Sequence, residues 1–282
     1  MPLTTTDYML LRARENSYAV AAFNCENMEM IQAVISAGEE MNAPVIIQTT
    51  PSTIRYATTD LFAANAIAAA KKSKIPFAVH LDHGDSFELA EEALRSGYTS
   101  IMMDGSHFPL DKNIAFTKRA AELCKSAGIP IEGELGRVGG KEDDLVSGGC
   151  EYTDPDEAVR FVAETGINSL AVGIGTSHGI YKTTPVLKPE LISILKEKLS
   201  VPLVMHGASG IADDVIRDCI DRGISKVNYA TELRVAYTTA VREYLIANPD
   251  CLDPKKYGDA ARKAVKELVI ERITVCGCKG KA

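Results

Sequence analysis

The sequence predicts an α/β fold in which strands and helices alternate to close a (β/α)8 barrel, and three observations carry that expectation. First, eight short runs rich in apolar residues recur along the chain: AVAAFNC (19–25), PVIIQTT (44–50), PFAVHLD (76–82), SIMMDGS (100–106), PIEGELG (130–136), SLAVGIG (169–175), PLVMHGAS (202–209) and KVNYAT (226–231). Second, their starts at 19, 44, 76, 100, 130, 169, 202 and 226 lie 24 to 39 residues apart, which leaves room for one helix and two short loops in each interval. Third, the runs are continuous rather than alternating, as parallel strands covered on both faces are. Strand–helix alternation with right-handed crossovers makes the strands parallel, and eight such units in about 250 residues form a TIM barrel. A doubly wound open sheet is the alternative, but the turn after the first run, NCENME (24–29), is not the GxGxxG such folds often carry there.

The helices between the runs are marked at their ends. SFELAEEALRSG (86–97) opens on Ser86, a favourable N-cap residue. DPDEAVRFVAETG (154–166) opens on Asp154, with Pro155 at the first helical position and Glu157 three residues past the cap. TELRVAYTTAVREYL (231–245) opens on Thr231. Gly97, Gly128, Gly166 and Gly223 each stand just before the next strand, where a left-handed residue ends a helix. Residues 252–275 read as an extra C-terminal helix packed on the barrel. No linker or low-complexity stretch interrupts the chain, so one barrel domain over residues 1–282 is expected.

At 282 residues, 46% apolar and 24% charged, the composition is that of an ordinary globular protein. A formal net charge of −7 speaks against broad nucleic-acid binding, while leaving room for a locally positive site that takes an anion. The most apolar stretch, AANAIAAA (63–70), is far shorter than the roughly 20 residues a membrane helix needs. The segment MPLTTTDYMLLRAREN lacks an apolar core of signal-peptide length, and the seven cysteines are scattered and odd in number, so a cytoplasmic location is expected. Cys276 and Cys278 have the proximity of a metal pair, but without a second pair they read as two thiols of the tail.

In barrels of this kind chemistry gathers at the C-terminal ends of the strands. Here those ends are polar. The third run closes on His80, Asp82 and His83; the fourth on Asp104, with His107 beyond; the fifth holds Glu132 and Glu134; Ser177-His178-Gly179 follows the sixth; the seventh ends at His206-Gly207 and the eighth at Asn228. All five histidines lie at or just past such ends. His83, His178 and His206 are candidate ligands of a zinc ion, which in catalytic sites takes three protein ligands and keeps one position open; interior, hydrogen-bonded histidines are the alternative. His80, deeper in its strand, reads as structural, and His107 fits either role. Asp82 adjoins His83, and neighbouring strand residues face opposite sides, so Asp82 is expected to face substrate as an acid/base, or else to orient a histidine. Asp104 and Glu134 are candidates for a second cation or for ion pairs with Lys or Arg.

A phosphate site is expected beside these groups. HGASG (206–210) after the seventh run and NYAT (228–231) after the eighth are small-residue turns that lead into helices, and Gly179 extends them. Such turns let backbone N–H groups and helix N-termini approach an anion, and these loops are where barrels commonly bind phosphate. GRVGGKEDDLVSGG (136–149) reads as a long loop, either solvated or able to bring Glu142, Asp143 or Asp144 onto a bound substrate. A Lewis-acid metal, a phosphate anchor and movable carboxylates suit a phosphorylated ketone: proton removal next to its carbonyl gives an enediolate that adds to an aldehyde, and the reverse cleaves a sugar phosphate. SLAVGIG offers no lysine, which opposes a Schiff-base route there.

LDHG (81–84), MDGSH (103–107), EGELG (132–136), GGKEDD (139–144), GTSHGIY (175–181), HGASG (206–210) and KVNYATEL (226–233) together resemble the class II, metal-dependent ketose-bisphosphate aldolases, in that family's order and over essentially the whole chain. NYATEL, HGASG and the CGCKGKA ending are most similar to tagatose-1,6-bisphosphate aldolases; LDHGDSFE looks more like short fructose-1,6-bisphosphate aldolases. The resemblance implies zinc on His83, His178 and His206, with Glu134 and Asp104 as alternative or second cation positions. It implies Asp82 as the proton donor and acceptor at the C4 hydroxyl, and Glu142 as the group that exchanges the proton of dihydroxyacetone phosphate. Gly179, Gly207, Ala208, Ser209, Asn228, Tyr229, Ala230 and Thr231 would bind dihydroxyacetone phosphate, with a monovalent cation (Na+ or K+) nearby. It further implies a homodimer or homotetramer, and in the tagatose branch a second, related subunit. An aldolase for another phosphorylated keto-sugar, and a non-catalytic partner subunit, are the alternatives; the latter would show gaps among these residues, and none is missing.

Overall fold

The computed structural model describes residues 3–142, 145–147, 149–181 and 185–282; for 141–142 and 145–147 it describes backbone alone. The strands are β1 (Val20–Asn24), β2 (Val45–Thr49), β3 (Phe77–Gly84), β4 (Ser100–Met103), β5 (Ile131–Leu135), β6 (Gly139–Glu142), β7 (Leu145–Ser147), β8 (Ser169–Val172), β9 (Ser177–His178), β10 (Leu203–Met205) and β11 (Ile224–Tyr229). The helices are α1 (Thr6–Glu15), α2 (Met28–Met41), α3 (Pro51–Ala57), α4 (Thr59–Ala70), α5 (Phe87–Ser96), α6 (Leu110–Ser126), α7 (Pro155–Thr165), α8 (Glu190–Lys198), α9 (Asp213–Arg222), α10 (Thr231–Ala247) and α11 (Pro254–Val275).

Eight of the strands close a barrel in the order β1-β2-β3-β4-β5-β8-β10-β11, each pair parallel. These are the eight runs expected from the sequence. The main apolar core lies between the strands and the helices, whereas Met102, Ala171 and Val204 form a separate small cluster. By register these three share rows with Glu132, Glu134 and Lys226, so the barrel interior holds a short apolar plug surrounded by polar side chains.

Helix ends follow the local chemistry in most places. Asp154 caps α7 by accepting from the N–H groups of Asp156 and Glu157, and Gly97 and Gly166 adopt the left-handed conformation at helix ends. Ser86 stands at the N-cap position of α5 without capping it; its hydroxyl donates to Asp85 instead. One helix was expected between β2 and β3, but there are two, separated at Thr58 with φ of +61°. A further helix, α1, precedes β1 and packs at the N-terminal end of the barrel: the Thr4 N–H donates to the Phe77 carbonyl, and Thr6 Oγ1 lies 2.8 Å from Ser100 Oγ. The extra C-terminal helix is α11. The tail after it is buried at Cys276 and Cys278, and the Cys276 carbonyl accepts from the Ala19 N–H at 3.0 Å. Those thiols are thus packing groups beneath β1.

The segment 136–149 is not simply a loop. β6 and β7 pair antiparallel, and β6 also pairs in parallel with β9, making a three-stranded sheet on the C-terminal rim. A glycine is required at 140, where φ is +93° and a side chain would run into the His178 carbonyl. The sheet therefore docks directly on the strand that presents His178. Asp143 and Asp144 lie outside the described residues, as does the side chain of Glu142; its backbone ends β6.

Candidate active site

The rim brings together residues that the chain keeps far apart. β3 is buried along all eight residues, yet its register with β4 shifts between Leu81 and Gly84, and His83 has φ of +49°. A left-handed residue that is not glycine is rare and costs roughly 1–3 kcal/mol where bulky, persisting only where the surroundings impose it. The consequence corrects the pleat expectation for Asp82 and His83. Strict alternation would separate them, but the irregularity turns both toward one polar cluster, in which the Asn228 amide nitrogen lies 3.0 Å from Asp82 Oδ1 and 3.3 Å from His206 Nε2.

His83, His178 and His206 converge, with ligand nitrogens all within 4.8 Å of one another. The His83 ring stands edge-on to both others, its centroid 5.1 Å from that of His178 and 4.7 Å from that of His206. Asp104 Oδ2 lies 2.8 Å from His83 Nδ1, and Glu132 Oε1 lies 3.0 Å from His206 Nε2. Each carboxylate assigns its histidine's tautomer: the nitrogen facing it carries the proton. The opposite nitrogens, His83 Nε2 and His206 Nδ1, then face each other with lone pairs at 2.9 Å. Two lone pairs at that distance repel unless a cation lies beside both. Neutral imidazoles already oriented by carboxylates are the donor set that zinc takes, so these residues fit a metal on chemical grounds. Glu134 Oε2 lies 3.9 Å from His83 Nδ1 and 4.0 Å from His206 Nδ1, and His83, Asp104 and Glu134 form a second group of adequate spacing for a cation.

Glu132 is held in turn by a buried lysine that sequence reading passed over. Lys226 Nζ donates to Glu132 Oε2 at 2.8 Å and reaches His80 Nε2 at 3.3 Å; His80 Nδ1 lies 2.7 Å from Ser100 Oγ. His80, Glu132 and Lys226 are all buried. Burial pushes the Glu132 carboxyl up, but the Lys226 charge and the His206 hydrogen bond outweigh it and hold the group well below the usual carboxylate range. Asp104 behaves likewise: burial opposes ionisation, and the hydrogen bond from His83 with the donors of Ser106 overcomes it. Burial, reinforced by Lys226, drives His80 well below an ordinary histidine, and burial lowers His206 too despite Glu132. His80 lies deeper in β3, between Ser100 and Lys226, and His107 is exposed against Phe108, apart from the cluster.

Asp82 is buried and fixed by three amides. Asn24 Nδ2 and Gln48 Nε2 donate to Oδ2 at 2.8 and 3.1 Å, and Asn228 Nδ2 donates to Oδ1 at 3.0 Å. Asn24 and Gln48 were missed from sequence. Their signal was present: polar residues at alternate positions inside apolar runs, as in Gln48, His80, Asp82, Glu132, Glu134, Lys226 and Asn228.

Beside this cluster, His178, Gly179, Gly207, Ser209, Asn228, Ala230, Thr231 and Arg234 line one cavity. Gly207 has φ of +67°, and a Cβ there would come within 2.7 Å of the Ser177 carbonyl oxygen, so only glycine lets the two rim turns touch. The Tyr181 hydroxyl ties the same turns together, accepting from the Ser177 N–H and donating to the Gly207 carbonyl, both at 2.7 Å. Two expected members of the cradle turn their side chains away from it, so that only their backbones could take part. The Tyr229 side chain is buried against Phe23, with its hydroxyl 3.4 Å from Cys276 Sγ, because its position on β11 faces the helices. Ala208 is buried, its carbonyl accepting from Ile211, and does not line the cavity.

With this geometry in view, similarity to known proteins is informative. The family described as fructose-bisphosphate aldolase class-II matches residues 4–281. The chain belongs to the class II fructose-bisphosphate aldolase family. Among solved structures, the YdjI aldolase of Escherichia coli is similar to this aldolase at 39% identity, with 99% of each chain covered and a TM-score of 0.89. A putative fructose-1,6-biphosphate aldolase of Coccidioides immitis is 32% identical over 97% of this chain and 96% of its own, with a TM-score of 0.90. The fructose-bisphosphate aldolase of Campylobacter jejuni, 22% identical over 99% of this chain and 97% of its own, shares the fold with a TM-score of 0.83. The protein is therefore an enzyme, a carbon–carbon lyase of a zinc-dependent class whose metal the histidine cluster fits. Among the described residues of this aldolase, no helix is long and apolar enough to cross a membrane.

The depressed His80 has a consequence for stability. An unfolded histidine titrates near 6.5, and folded His80 lies well below it. The unfolded state therefore binds protons first, and stability is greatest above about pH 6.5 and falls as pH drops toward the folded value. Urea unfolding between pH 8 and 5 is expected to show this decline. His80→Gln should flatten it by up to one proton, or up to about 1.4 kcal/mol per pH unit; an unchanged slope would refute the assignment.

Proposed function

We propose that the enzyme catalyses zinc-dependent, reversible aldol cleavage of tagatose 1,6-bisphosphate to dihydroxyacetone phosphate and glyceraldehyde 3-phosphate. The observation that carries this reading is the juxtaposition, on one barrel rim, of three mutually facing histidines, an amide-locked aspartate and a glycine-built cavity. In this proposal His83, His178 and His206 hold the zinc, with Asp104 and Glu134 as a second cation position. Bound zinc supplies a Lewis acid that draws electrons from the oxygens of the ketose.

The chain's own groups do the rest. Asp82, unable to rotate against Asn24, Gln48 and Asn228, takes the proton of the C4 hydroxyl as the C3–C4 bond breaks, and returns it to the aldehyde oxygen in the synthetic direction. The electron pair released to C3 is protonated by Glu142, which in reverse removes that proton. The backbone of Gly179, Gly207, Ser209, Asn228, Ala230 and Thr231 receives the phosphate at the N-terminus of α10, whose N-cap, Ala230, offers no side-chain cap to compete. A monovalent cation beside the phosphate and a homodimeric or homotetrameric assembly, with or without a second related subunit, belong to the same proposal.

Tagatose is preferred on the likeness of NYATEL, HGASG and the CGCKGKA tail to that branch. The second reading, fructose 1,6-bisphosphate, is favoured by LDHGDSFE and by the name of the Coccidioides relative. The two sugars differ at C4, where Asp82 acts, so kcat/KM for purified, zinc-loaded enzyme on both epimers separates them: a higher value for the fructose epimer would displace the first reading.

Two variants test the roles. His206→Ala is expected to lose zinc, measured by metal analysis, together with cleavage; zinc retained at wild-type stoichiometry would exclude this ligand set. Glu142→Ala is expected to keep its zinc and to slow exchange of the dihydroxyacetone phosphate proton with solvent deuterium by about 100-fold or more, and exchange at the wild-type rate would remove Glu142 from the mechanism.

A further inference from the structure

Among the described residues that line the glycine-built cavity, Arg234 is the one lysine or arginine, and neither composition nor motif pointed to it. It lies in the first turn of α10, where side chains lean back toward the helix N-terminus. That tilt returns its guanidinium over the rim, beside Gly179, Gly207, Ser209 and Thr231. There it meets Glu26, which follows β1: Nε and Nη2 approach the same carboxylate oxygen, Oε1, at 2.7 and 2.6 Å. Thr53 of α3 donates to the other oxygen at 2.6 Å. Both charged side chains are about a third exposed, 33% for Arg234 and 27% for Glu26.

These facts define an exchangeable pair. A partly exposed ion pair contributes little to stability because water screens it and two long side chains must be ordered. A planar guanidinium on a phosphate makes parallel charge-assisted bonds, a stronger arrangement. Among the described residues the other lining groups are glycine, alanine, serine, threonine, asparagine and His178, within a protein whose net charge is −7. A dianion entering this cavity needs a cation that can reach it.

We propose that Arg234 is a binding residue for the phosphate of the substrate, exchanging Glu26 for the phosphate when the cavity fills, with Glu26 left on Thr53. The ligand class is a phosphate monoester dianion. The inference rests on the cradle reading above and adds to it the side chain that supplies positive charge and the carboxylate that holds it in waiting.

The test is calorimetric titration of zinc-loaded protein with dihydroxyacetone phosphate and, separately, inorganic phosphate. Arg234→Gln is expected to weaken both by about 10- to 100-fold with zinc content and Tm as in the wild type, and Arg234→Lys to restore part of the loss. Glu26→Gln, which removes the competing carboxylate, is expected to bind both at least as tightly as the wild type. Wild-type affinity in Arg234→Gln overturns the inference. So does equal weakening by Glu26→Gln, because the pair would then be only a brace between α3 and α10. If Arg234→Gln lowers Tm, Arg234→Lys decides: affinity above that of the Gln variant supports the inference, and equal affinity overturns it. Wild-type protein that binds neither probe would overturn the cradle itself, whereas wild-type binding insensitive to Arg234 overturns this step alone.

Discussion

The buried pair of Lys226 and Glu132 is the constraint on which the rest of the site depends. Both residues are buried, and a carboxylate placed alone in that interior would neutralise itself. The lysine keeps it charged, and the charge is then spent on orienting His206. Once Nε2 of that ring carries the proton, Nδ1 has no choice but to present a lone pair toward His83, which Asp104 has oriented in the same way. A buried ion pair is weak as a source of stability, since desolvation offsets most of the attraction. Its value here is directional, because it converts a flexible titratable ring into a donor of known tautomer.

The second constraint is geometric. Three imidazoles must meet, and they come from strand β3, from the residue just after β10 and from the short β9 outside the barrel. Each arrives by a different departure from regular structure. His83 is turned by a register shift and a left-handed backbone; His206 is followed by a glycine that permits contact with the β9 turn; His178 is held by an added sheet and by Tyr181. Local strain at such points is maintained by the surrounding barrel, whose parallel strands are rigid. The small sheet also ties two rim segments together, because β6, whose backbone ends at Glu142, is paired with the strand that carries His178.

Much of this was legible in the amino-acid order. The spacing of apolar runs located all eight barrel strands, and glycines and Asp154 marked helix ends where the structure has them. The histidines, Asp82, Asp104 and Glu134 were legible because polar groups at the ends of buried strands are costly unless used. Asn24, Gln48, Glu132, Lys226 and Arg234 were harder to see in their roles. Each is polar for a reason that lies across the barrel: Asn24 and Gln48 exist for Asp82, Lys226 for Glu132, Glu132 for His206. The side-chain directions of Tyr229 and Ala208 were hidden for the converse reason. They sit within a motif whose neighbours line the cavity, but their own side chains fall on the helix-facing side of a strand or in the packed turn.

By itself, then, the sequence determined the alternation of strand and helix, the barrel that follows from it, and which ionisable groups stand at the rim, because all of these are set by periodicity and by the cost of burying polarity. Only the tertiary structure decided which nitrogen of each histidine faces its neighbour, that Asp82 and His83 share one side, that the glycine-rich segment is a sheet, and that Arg234 reaches the cavity with Glu26. Those are properties of hydrogen bonds between residues distant along the chain, and no local pattern encodes a bond whose other half lies on a different strand.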